Sequence, residues 1–92
     1  MKDLQFEFTL DYDGEVEDLD IWDGDTTEVE CEGIIDKMKE KKVIGFGERT
    51  EGVVKIRNGQ VEYNERVCME LGEDWDSDNW TEEDSTFPYS DL

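Results

Sequence analysis

Carboxylates dominate the chemistry open to this chain: from Asp11 to Glu32, eleven of twenty-two residues are Asp or Glu, and none is Lys, Arg or His. A carboxylate can serve as nucleophile, as proton donor or acceptor, as a ligand for a hard cation, or as fixed negative charge, and its partners decide which. Here the partners for catalysis are missing. The ninety-two residues include no His, no G-x-S-x-G and no glycine loop of the kind that cradles phosphate, and neither Cys31 nor Cys68 has an activating neighbour in sequence. The two cysteines stand thirty-seven residues apart without a C-x-x-C, which argues against zinc and against a redox dithiol. Both are read as reduced thiols. Paired carboxylates are so abundant that no single pair stands out as an acid–base couple. The expectation is a protein that is not an enzyme, with no cofactor and no metal centre.

Two local patterns bear on that expectation. Asp11-Tyr12-Asp13-Gly14, after a strand, is similar to the D-x-D-G motif of haloacid-dehalogenase-type phosphatases, in which the first Asp is the nucleophile and the second the acid. The match covers four residues, and that family needs a larger doubly wound domain and a further basic residue that this length does not supply. A hairpin turn at Asp13-Gly14 is the better reading, because Gly adopts the positive φ that a tight turn needs. Asp74-x-Asp76-x-Asp78 resembles the opening of an EF-hand calcium loop, but the sixth position is Asn79 instead of Gly and the twelfth is Ser85 instead of Glu. True EF-hand coordination is not expected.

The charge is unevenly spread. The total is −19, yet residues 33–72 hold seven acids and eight bases, whereas residues 1–32 hold thirteen acids and one Lys, and residues 73–92 hold eight acids and no base. An ordinary middle lies between two anionic ends. Such a chain is repelled by nucleic acid and by anionic membranes and attracted to basic surfaces, including those of proteins that bind nucleic acid. Leu, Ile, Val and Phe make up about 23% of the chain, just above the level of roughly 20% at which a highly charged chain is expected to be disordered. The opening MKDLQFEF has no apolar run preceded by positive charge, so neither a signal peptide nor a membrane span is expected there, and a cytoplasmic location is the default.

The elements that must position these acids follow from periodicity. Residues 4–12 alternate strictly, with Leu4, Phe6, Phe8, Leu10 and Tyr12 on one face, and predict a half-buried strand. A two-residue turn at Asp13-Gly14 leads to a return strand over 15–22, whose alternation is less clean: Leu19 and Ile21 share a face with Glu17, and Val16 and Trp22 share the other with Asp18 and Asp20. A helix over about 27–42 follows from the stripe Cys31, Ile34, Ile35, Met38 and from Thr27-x-x-Glu30, which has the form of a capping box. Its acids Glu28, Glu30 and Glu32 lie near the start and Lys37, Lys39, Lys41 and Lys42 near the end, as the helix dipole favours. The lysines are therefore read as a solvated helix end and not as a nucleic-acid patch. Gly33 costs the helix interior about 1 kcal/mol relative to Ala. Residues 43–47 form a candidate short strand. Asn58-Gly59 predicts a tight hairpin over 52–71, with Ile56 opposite Val61, Val54 opposite Tyr63 and Lys55 opposite Glu62. Glu65 interrupts the apolar face of that hairpin and marks a bulge or an edge, where a homodimer could form. The fold class is thus α+β: an antiparallel sheet of four to five strands with one helix packed on it. Residues 1–72 make one domain, and residues 73–92 an acidic, aromatic-containing tail that either docks or stays disordered.

With its anionic stretches DYDGEVEDLDIWDGD and EDWDSDNWTEED around a small α+β body, the chain resembles phage-encoded DNA-mimic inhibitors, such as anti-CRISPR and anti-restriction proteins and the uracil-DNA glycosylase inhibitors. The resemblance implies a non-enzymatic inhibitor, made in an infected cell and acting in the host cytoplasm. It would place carboxylates against the Lys and Arg of a nuclease or CRISPR effector, without itself binding nucleic acid. Alternate side chains on a strand lie about 6.6 Å apart, whereas DNA carries a charge per roughly 1.7 Å of axis. One strand row is too sparse, and two adjacent rows with the loop and tail approach that density. The expected partner-binding residues are Asp11, Asp13, Glu15, Glu17, Asp18, Asp20, Asp23 and Asp25, supported by Asp74, Asp76 and Asp78, with Trp22, Trp75 and Trp80 as anchors. An immunity protein against a nuclease toxin would use the same electrostatics. A calcium-responsive acidic module would use the same carboxylates for a different purpose.

Overall fold

The computed structural model describes residues 3–11, 13–44, 49–68 and 80–92, with only the backbone at Cys68 and Trp80. Five strands, β1 (Leu4–Leu10), β2 (Val16–Asp23), β3 (Arg49–Arg57), β4 (Gln60–Cys68) and β5 (Trp80–Pro88), form one antiparallel sheet in the order β2-β1-β3-β4-β5. The helix α1 (Glu28–Glu40) connects β2 to β3 and packs on one face. The expected α+β class is the one observed.

The core lies between α1 and the sheet. Leu4, Phe6, Phe8 and Leu10 of β1 meet Cys31, Ile34, Ile35 and Met38 of α1, with Val54 and Ile56 of β3 and Val61 and Tyr63 of β4 completing it. Both periodicities read from the sequence thus converge on one interior, the period of two from the strands and the 3.6-residue stripe from the helix. Phe8 and Tyr63 stack in parallel, ring centroids 6.1 Å apart, across Gly52 of the strand between them. A Cβ at position 52 would lie 2.5 Å from the Phe8 ring and 2.8 Å from that of Tyr63, so only glycine lets the rings close over the backbone.

Both ends of α1 are capped. Thr27 accepts from the Glu30 backbone N–H at 3.2 Å. The expected capping box is half formed, because the Glu30 carboxylate accepts from the Thr26 hydroxyl at 3.0 Å. At the other end Lys42 takes a positive φ of 58°, the Val43 N–H bonds the Met38 carbonyl and the Lys42 N–H bonds that of Lys39, each at 3.0 Å. This pair of bonds is a Schellman motif. It ends the helix at Glu40, two residues short of the expected limit. Val43 and Ile44 are not in a strand, and the rest of the expected strand 43–47 lies outside the described residues.

The hairpin around Asn58-Gly59 forms as read. Both turn residues have positive φ, 52° and 75°, the requirement of a two-residue turn that matches strand twist. The three expected cross-strand pairs, Ile56–Val61, Val54–Tyr63 and Lys55–Glu62, are all present. Glu65 is neither at a bulge nor at an edge. The register runs unbroken through it, its side chain is buried, and it accepts a hydrogen bond of 2.9 Å from the Tyr63 hydroxyl. A polar partner on its own strand thus permits a carboxylate on the apolar face. The edge once available beside it is occupied by β5.

That fifth strand comes from the segment set apart as 73–92. From Trp80 onward the chain pairs with β4 over nine residues, and Phe87, Tyr89 and Leu92 pack against the core. The Tyr89 N–H bonds the Gly59 carbonyl at 2.7 Å, fastening the chain's end to the β3–β4 turn. The inward positions of β5 are Thr81, Glu83, Ser85 and Phe87, of which one is apolar, so alternation gave no sign of a strand.

Candidate acidic binding face

The face of the sheet opposite α1 carries the acids. Cross-strand registers line up its outward side chains in three rows: Asp23–Gln5–Lys55–Glu62–Thr86, Asp20–Glu7–Val53–Asn64–Asp84, and Asp18–Thr9–Glu51–Arg66–Glu82. These rows hold eight carboxylates and two cations, and none of the fifteen side chains is buried. Neighbours sit about 4.7–4.9 Å apart across strands and about 6.6–6.8 Å along them. At the longer spacing two carboxylates repel by roughly 0.6 kcal/mol in water. Each pair is a small cost that the core tolerates, and all of them together become a source of attraction once a cationic surface approaches.

Strand β2 supplies the densest part of this face because its pairing with β1 is interrupted twice. The register skips Glu17 between Leu10–Val16 and Thr9–Asp18, and skips Trp22 between Phe6–Ile21 and Gln5–Asp23. Strict alternation would turn Asp23 toward the helix and Val16 away from it. The two bulges instead bring Val16, Leu19 and Ile21 against the core and set Asp18, Asp20 and Asp23 in line on the outside. The uneven alternation in the sequence is thus resolved by two extra residues.

The expected site residues separate into groups. Asp18, Asp20 and Asp23 form one row, and Trp22 lies beside it with 51% of its surface exposed. Asp13, Glu15 and Asp25 are exposed at the two ends of β2. Asp11 serves the turn: its carboxylate accepts from the backbone N–H groups of Asp13 and Glu15 at 2.9 and 3.0 Å. The expected two-residue turn is therefore a five-residue connection, 11–15, organised by that side chain, and Tyr12 lies outside the described residues. Glu17 pairs with Arg49 at 3.1 Å. Asp74, Trp75, Asp76 and Asp78 lie outside the described residues, and Trp80 begins β5. Sequence reasoning missed Glu7, Glu51, Glu62, Glu82 and Asp84 as members of this face. Glu7 was visible as the polar side of an alternating strand, whereas Glu82 and Asp84 gave no signal because β5 itself gave none.

The cations offset only part of the charge of the face. Arg66 lies 3.6 Å from Glu82, and Lys55 stands between Gln5 and Glu62. Lys39 donates to the Gly14 carbonyl, tying α1 to the β1–β2 connection. Lys41 and Lys42 are on the helix side, where with Val43, Phe87 and Leu92 they line a groove of about 460 Å³.

In the layer behind, burial shifts two titrating groups. Burial raises the Cys31 thiol above its ordinary value, and Glu30 and Glu28 raise it further against the opposing effect of its contact with the Thr26 hydroxyl, which makes it a weak nucleophile. Burial, then the Glu65 charge and the hydrogen bond to it, push the Tyr63 hydroxyl far above the tyrosine range. Among the described residues no cluster of three or more side chains could hold a metal ion, and no helix is long and apolar enough to cross a membrane. Comparison with family models, with curated proteins and with solved structures found no match.

Proposed function

We propose that this chain is a non-enzymatic inhibitor that sets its acidic sheet face against the basic nucleic-acid-binding site of another protein, in the manner of an anti-CRISPR or anti-restriction protein acting on a host defence nuclease in the host cytoplasm. The observation that carries the reading is the uncovered outer face of the sheet. A two-layer fold needs one apolar face to bury, and here three successive rows of the other face concentrate eight carboxylates against two cations, with Arg49 and Arg57 at the two ends of β3 and nothing packed over it among the described residues. A charged face of this kind steers a cationic partner and sets its orientation, and it replaces the phosphates that the partner's Lys and Arg otherwise hold.

Affinity capture from host lysate tests this reading. The native chain is expected to retain a basic nucleic-acid-binding protein, to release it as salt rises from low to moderate concentration, and to compete with nucleic acid for it. The triple variant Asp18→Lys, Asp20→Lys, Asp23→Lys is expected to retain none. Full affinity in that variant sinks the proposal, and the identity of the captured protein separates a defence nuclease from a nuclease toxin.

A further inference from the structure

We infer that the basic site this face occupies is one built for a single nucleic-acid strand, a cationic groove with aromatic platforms, and not one built for a duplex. The inference rests on the function proposed above and narrows its partner.

The first support is the shape of the charge. Asp18, Asp20 and Asp23 stand opposite Thr9, Glu7 and Gln5, which are successive outward positions of β1, so the three carboxylates repeat in a straight line every 6.6–6.8 Å or so. A duplex would need a second such line running alongside. The other acidic edge, Glu82 and Asp84 on β5, is four strand spacings away, about 19 Å. Adjacent strands rotate by 20–25°, which turns β5 by about 80–100° relative to β2. The two lines therefore cross instead of running together, and Lys55 and Arg66 lie between them. Glu7, Glu51 and Glu62 stand singly, one each on β1, β3 and β4, so the one unbroken line of three carboxylates among these rows is that of β2.

The second support is Trp22. It sits in the bulge without a partner on β1, flanked along the strand by Asp20 and Asp23, with 51% of its surface exposed. A duplex keeps its bases stacked inside and offers no free ring beside its phosphates. An unstacked strand offers both, and grooves for single strands answer with positive charge along the backbone and aromatic side chains for the rings. Charge complementarity and the free indole thus select the same occupant.

The test titrates the full chain, at low salt, into two preformed complexes: a labelled oligothymidylate on an OB-fold single-strand-binding protein, and a labelled operator duplex on a helix-turn-helix repressor. The oligothymidylate is expected to be released at the lower concentration of inhibitor. Trp22→Ala is expected to raise that concentration about tenfold, the scale of one lost aromatic stack, and Trp22→Phe to restore most of it, with circular dichroism confirming that both variants fold. Release of the duplex at an equal or lower concentration, or no effect of Trp22→Ala, overturns the single-strand inference and leaves the proposed function standing. Release of neither nucleic acid overturns both.

Discussion

The β3–β4 hairpin turns in two residues, Asn58 and Gly59, and keeps nine consecutive pairs in register. The β1–β2 hairpin needs five residues to turn and breaks its register twice. The first carries Arg49, Lys55, Arg57 and Arg66 against Glu51, Glu62 and Glu65; the second carries Glu7, Glu17, Asp18, Asp20 and Asp23 without a single cation. Position in the sheet explains the difference. Both strands of the regular hairpin are paired on either side, so any slip would move whole rows of side chains to the wrong face. Among the described residues strand β2 pairs on one side only, so an extra residue in it disturbs one neighbour. Regularity is kept where the core depends on it, and irregularity is placed where it can aim charge.

Four experiments sharpen or break this contrast. The largest effect on stability is expected in the regular hairpin, at Gly52→Ala. The added methyl must displace the Phe8 or Tyr63 ring, at a cost of about 1–3 kcal/mol, read from urea unfolding; an unchanged midpoint would mean the stack is not fixed. Next comes Tyr63→Phe, which removes the donor to buried Glu65 and should cost about 1 kcal/mol at neutral pH. Its pH dependence has a definite sign. The folded-state value of Tyr63 is raised above the ordinary 10.0, so its contribution is intact below that pH and is lost as rising pH ionises the unfolded chain. Above about pH 10 the native chain should lose stability faster than the variant does. Gly33→Ala should raise stability by about 1 kcal/mol, since nothing lies within 4 Å of the added carbon. Smallest of all is the change expected from Asp18→Asn, Asp20→Asn and Asp23→Asn together: an unfolding midpoint held or slightly raised, with partner binding lost. A large destabilisation there would show that the irregular hairpin also serves the core.

The sequence disclosed those parts in which one period runs without exception. Strand β1, the helical stripe and the Asn58-Gly59 hairpin were legible because Leu4 to Leu10, Cys31 to Met38 and Val54 to Val67 each bury side chains at the expected step. Strand β2 was half legible, since a bulge shifts the phase of alternation and a fixed period cannot follow it. Glu65 misled because a buried carboxylate satisfied by Tyr63 looks, in sequence, like an exposed one. Strand β5 was hidden altogether: an edge strand with one apolar inward residue relies on pairing with β4 and not on burial of its own. The binding face was therefore seen at the β2 end, where acids crowd together in the chain, and missed where they are assembled by pairing.

The two edges of the sheet have a further consequence, for self-association. Among the described residues strands β2 and β5 are the outer strands of the sheet, and an edge with unused backbone donors and acceptors is the pattern on which sheets extend from molecule to molecule. Asp18, Asp20 and Asp23 on one edge and Glu82 and Asp84 on the other set like charge against like charge when two such edges approach. At the isoelectric point of about 4.1 set by the composition, the chain's net charge vanishes and repulsion between copies is weakest. Acidified solutions of this protein should then grow fibrillar assemblies stacked edge to edge.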